Sequence, residues 1–124
     1  MKKTLILSAI ALTAAFAVPA FAAPCTEDQE STAGMLAAGV GKAAVSKVVA
    51  VTGKQMVNIS ACEFRAGNYQ VDFKYNFLAD DGLYWVELSS KFDGTGAGAT
   101  SKVIKASPNM AAAEAKAGVK LASN

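Results

Sequence analysis

From Tyr69 to Phe77 apolar and polar residues alternate without a break. Tyr69, Val71, Phe73, Tyr75 and Phe77 are apolar or aromatic, and Gln70, Asp72, Lys74 and Asn76 between them are polar. Successive side chains of an extended chain point to opposite faces, so this segment is a strand with one greasy and one wet face. Asp81-Gly82 is a tight-turn pair, and Tyr84, Val86 and Leu88 resume the alternation in a second strand. Upstream, Met56–Phe64 reads as a strand joined to the first through Arg65-Ala66-Gly67-Asn68, a turn-forming connection. Three consecutive antiparallel strands leave a greasy face that needs a cover.

The cover is expected from the segment before them. Thr26-Glu27-Asp28-Gln29 has a capping threonine, a glutamine placed to complete a capping box, and acids at the positive end of the helix dipole. Leu36, Val40, Ala44, Val48 and Val51 then form one apolar stripe at spacings of four and three. Gly34, Gly39 and Gly41 weaken this helix, each by up to about 1 kcal/mol relative to alanine. Two continuations compete. One is a single helix reaching about residue 50 and stopped by Gly53; the other ends near Ala38 and makes Lys47–Val51 a strand. The continuous stripe favours the single helix. Beyond Phe92 a glycine-rich connection over 93–99 leads to a short strand at Ser101–Lys105. Ser107-Pro108 opens a second helix, with serine as cap and proline at the first helical position. Met110, Ala113, Ala117 and Leu121 mark its apolar side, a small stripe that buries little.

The expected fold is therefore α+β, an N-terminal helix packed on a three- to four-stranded antiparallel meander plus a short C-terminal helix. This order is similar to the cystatin-like arrangement, in which a sheet wraps one helix. The similarity is one of element order alone, and no motif comes with it.

The N-terminus follows another pattern. Met1-Lys2-Lys3 precedes an apolar run from Leu5 to Val18 and then Ala20-Phe21-Ala22. A short basic segment, a hydrophobic stretch and a small-x-small site are the features of a cleavable secretory signal of bacterial type. The run is too short for the ~20 residues that span a bilayer, so no stable membrane insertion is expected after cleavage. Residues 1–22 are thus expected to be removed after Ala22, with Ala20 and Ala22 forming the cleavage site, and 23–124 to form one domain. The destination is the periplasm or the extracellular space.

That reading changes the charge balance. The chain has 12 basic and 10 acidic residues, but Lys2 and Lys3 belong to the leader. Without them positive and negative charges are equal, and no polybasic cluster for nucleic acid remains. The only two cysteines, Cys25 and Cys62, then meet an oxidising compartment and are expected to pair as a structural staple.

Candidate chemistry is sparse. The chain contains no histidine, which removes imidazole-dependent triads and His-ligated zinc. Glu63 and Asp72 fall on neighbouring strands and can approach, although pairing with Arg65 or Lys74 is the simpler outcome. Asp93-Gly94-Thr95-Gly96-Ala97-Gly98 lacks the Gly-Lys-Ser/Thr ending and the following helix of a phosphate loop. Asp80, Asp81 and Asp93 lack the spacing of a calcium loop. No cofactor or metal site is expected, and the balance favours a non-enzyme. The sharper signal is Trp85. Alternation sends Leu83 and Trp85 to the wet face with Asp72 and Lys74, where an indole offers a large contact area at low entropic cost. Burial by the second helix or a twin subunit is the plainer alternative. The leading expectation is a small exported, non-catalytic binding or envelope-accessory protein. The rivals are a small-ligand or enzymatic pocket between helix and sheet, where Tyr69, Tyr75 and Tyr84 converge with a carboxylate, and a secreted inhibitor or effector.

Overall fold

The computed structural model describes residues 23–121; the expected leader, with its expected cleavage site at Ala20 and Ala22, lies outside them. Five strands and two helices follow in the order β1 (Ala23–Pro24), α1 (Glu27–Val45), β2 (Gln55–Arg65), β3 (Asn68–Ala79), β4 (Gly82–Asp93), β5 (Thr100–Ala106) and α2 (Pro108–Ala117). All strands are antiparallel neighbours in the order β1-β2-β3-β4-β5. The α+β architecture is as expected, with one more strand. That strand is β1, a two-residue segment whose Ala23 and Pro24 pair with Phe64 and Glu63. Two residues carry no periodicity. Their position follows from Cys25, which is disulfide-bonded to Cys62 and donates its N–H to the Cys62 carbonyl at 3.0 Å.

The β2–β3 connection is a two-residue turn in which Ala66 and Gly67 both take positive φ, 51° and 81°. This is the twist that a tight hairpin requires, and alanine tolerates it less well than glycine. The alternation of β3 and β4 is realised fully: Val71, Phe73, Tyr75, Phe77, Tyr84, Val86 and Leu88 are buried on one face. Their rings stack in a row, with Tyr75–Phe77 and Phe77–Tyr84 centroids 5.4 and 5.5 Å apart.

α1 begins as its sequence predicts. Thr26 accepts from the Gln29 N–H at 3.2 Å, and the Gln29 side chain accepts from the Thr26 N–H at 3.0 Å. Its end is a correction, because the helix stops at Val45 and not near residue 50. The Ser46 hydroxyl donates back to the Lys42 carbonyl at 2.6 Å, and a β-branched run follows that favours helix poorly. Val48 and Val49 donate their N–H groups to the Val45 carbonyl in a closing turn, and residues 47–51 form no strand.

The helix meets the sheet through Ala33, Ala37, Gly41 and Val45, a stripe of small residues at successive turns. It rests on β2 and β3 and reaches β4 only in part. α2 docks beside Tyr84, with Met110 entering the core. Ser107 starts α2 but does not cap it through its side chain. Its hydroxyl instead accepts the Trp85 N–H at 3.2 Å, and its N–H donates to the Trp85 carbonyl at 2.8 Å.

Candidate binding site

The outer face of the sheet holds the residues singled out by alternation. Cross-strand register opposes Lys74 to Glu87, Asp72 to Ser89, Asn76 to Trp85 and Leu78 to Leu83. Lys74, Trp85, Leu83 and Asp72 therefore lie on a diagonal strip of one face. The Lys74 Nζ sits 4.4 Å from the Trp85 ring centroid, a cation–π contact. Much of this surface is tied down by hydrogen bonds. Asn76 Nδ2 donates to Asn58 Oδ1 at 3.0 Å and to the Met56 carbonyl at 3.2 Å, and Gln70 Nε2 donates to Ser89 Oγ at 3.1 Å.

α2 does not cover this strip, since it packs on the side of Tyr84. Trp85 is half-buried, while Leu83 and Met56 are 60% and 58% exposed and Leu78 is 39% exposed. Met56 opposes Asn76 on β2, so these apolar groups and Trp85 share the hairpin end of the outer face. Alternation made Trp85 and Leu83 legible as outward residues. Met56 and Leu78 were missed as partners because only the register of three strands brings them together.

The inner side is arranged differently. The three tyrosines do not converge on one cavity: Tyr69 and Tyr84 line separate clefts, of about 440 and 500 Å³. Tyr75 is fully buried, donates its hydroxyl to Gln55 Oε1, and has its phenol pushed above the ordinary value by burial. Tyr84 donates to Asp81 Oδ2 at 2.9 Å. That hydrogen bond, then burial and the adjacent negative charge raise its phenol above the ordinary value. Glu63 and Asp72 are both exposed, and register sets them against Gln70 and Ala61 instead of each other. Neither has the dry setting that suits a general acid. Asp81 precedes β4 and Asp93 ends it, about 35–40 Å apart along an extended strand of this length.

A cleft of about 740 Å³ lies between α1 and β5. Leu36, Val40 and Ala44 of α1, Val103 of β5 and Leu121 of the tail supply apolar walls, with Lys47, Lys102 and Lys120 among the lining residues. The glycine-rich connection forms one rim and is shaped by its own first residue. Asp93 Oδ1 accepts from the Thr95 N–H at 2.8 Å, the Thr95 hydroxyl at 2.6 Å and the Ala97 N–H at 3.0 Å. These bonds, led by the Thr95 hydroxyl, hold the Asp93 carboxyl below its ordinary value. The glycine-rich connection is thus a hydrogen-bonded turn. At the opposite rim the tail is set by Gly118, at φ 72°, and by the Leu121 N–H donating to Glu114 Oε2 at 2.6 Å.

Among the described residues no three His, Cys, Asp or Glu side chains cluster as a metal site, and no helix is long and apolar enough to cross a membrane. No family model matches this chain, and no curated protein or solved structure matches it.

Proposed function

We propose that this chain is a small exported, non-catalytic binding protein of the cell envelope, which meets a protein partner through the outer face of its sheet. One observation carries this reading. Both helices lie on the inner side, so Trp85, Leu83, Leu78 and Met56 gather at the hairpin end of the outer face without a cover from either. Interface anchors are typically aromatic groups set among groups already hydrogen-bonded, and the polar ladder around Trp85 has that form. Export is supported by the leader pattern and by the Cys25–Cys62 bond, which suits an oxidising compartment.

The test is chemical crosslinking in intact envelopes followed by recovery of the protein, with and without Trp85→Ala and Leu83→Ser. Loss of an anchor lowers recovery of a specific partner at least about tenfold while leaving the thermal midpoint nearly unchanged. Equal recovery by the variants and the parent refutes the outer face as the contact.

A further inference from the structure

We propose that the cleft between α1 and β5 binds a single-chain amphiphilic anion, an alkyl chain ending in a carboxylate. The chain lies on the apolar walls and the head group sits at the lysine-bearing rim. Three observations converge. The cleft volume of about 740 Å³ falls within the roughly 300–1,000 Å³ of small-molecule sites. Its walls are aliphatic, and no carboxylate lines it; its cations are Lys47 and Lys120, since Lys102 meets the cleft at the strand edge but stands opposite Ser89, with its side chain on the outer face. Glu114, the nearest acid along the tail, is engaged with the Leu121 backbone. In a chain whose charges balance outside the leader, Lys47 and Lys120 with no anion beside them select for a negative head group.

The alternative occupant of a groove beside a sheet edge is an added strand. β5 is built against that. It is seven residues long, carries Lys102 and Lys105, and its pairing with β4 is broken by an irregularity at Glu87/Leu88. Short length, edge lysines and a bulge are the features that discourage strand addition. A flexible alkyl chain needs no hydrogen bonds from that edge and suits an open apolar trough. The assignment does not depend on the outer face, so either reading can fail without the other.

The experiment is isothermal titration of the purified disulfide-bonded protein with decanoate, decyltrimethylammonium and decan-1-ol, all below micelle formation. Decanoate is expected to bind about tenfold or more tightly than either comparator. Affinity should rise about two- to fourfold per methylene from octanoate to dodecanoate. Gly39 lines the cleft, and a Cβ there meets nothing within 4 Å. Gly39→Phe should therefore obstruct the trough and abolish binding, whereas Gly39→Ala keeps it. Replacing both Lys47 and Lys120 by Gln should weaken decanoate about tenfold and leave decan-1-ol unchanged; this pair decides the matter if Gly39→Phe does not fold. Equal affinity for the three head groups, no binding of decanoate, undiminished binding by Gly39→Phe, or binding to phosphatidylglycerol vesicles without binding to monomeric decanoate would each overturn the proposal.

Discussion

On its β2–β3 side α1 lies so close to the sheet that a Cβ on Gly41 would sit 2.6 Å from the Tyr75 ring. Around the same helix, a Cβ on Gly39 would meet nothing within 4 Å. The two glycines are two residues apart, and they mark a closed and an open side of one interface. Geometry accounts for the difference. The axes of β2 and β5 are separated by roughly 14 Å, while a helix with its side chains is about 10–12 Å across. One helix cannot cover that width. The Ala33, Ala37, Gly41 stripe draws α1 down over β2 and β3, and the Cys25–Cys62 bond ties its N-terminal end to β2. Leu36 and Val40 are then left as a flank facing β5 across the cleft.

This contrast can be broken most severely at the disulfide. Its partners are 37 residues apart, and by the chain-entropy relation removing the cross-link costs about 4 kcal/mol. Changing both Cys25 and Cys62 to Ser should lower the denaturant midpoint accordingly. Hydrogen exchange should show α1 loosening from β2 first. Next in size is Gly41→Ala. The methyl group would press on the base of a fully buried ring, which can yield only by shifting the core, and the expected loss is about 1–3 kcal/mol. Gly39→Ala reverses the sign. With open space beside it, the substitution should add about 0.5–1 kcal/mol through helix propensity alone, raising the thermal midpoint. Similar effects at the two glycines would show that the closed and open sides are not distinct.

The smallest effect concerns the rim of the open side. The folded carboxyl of Asp93 titrates below its unfolded value, so its ionised form stabilises the turn at neutral pH. That contribution is complete above the unfolded value and is lost as pH falls through the lower folded value. Asp93→Asn should remove this acid dependence from amide exchange at Thr95 and Ala97, with little change in global stability.

Legibility followed the range of the forces involved. The capping box at Thr26 and Gln29, the turn at Ala66-Gly67 and the faces of β3 and β4 are local features, and each stands where its residues predict. The end of α1 was misjudged because the stripe continues through Val48 and Val51, which cover the core from an irregular segment instead of a helix. Ser107 was recognisable as a helix-starting residue, but its side chain is claimed by Trp85 of a strand 22 positions away. For the candidate surfaces, the outward direction of Trp85 follows from alternation. The meeting of Trp85 with Lys74, Leu78 and Met56 needed the register.

The sequence alone determines that a greasy-faced antiparallel meander must be covered, that an amphipathic helix precedes it, and that two cysteines stand ready to join them. Those outcomes depend on periodicity and turn chemistry, which act over a few residues. Only the tertiary structure decides which half of the sheet the helix covers. That choice rests on how near a stripe of small residues can approach one buried ring, and on a covalent tie to one edge. The cleft between α1 and β5 exists because the other half was left open.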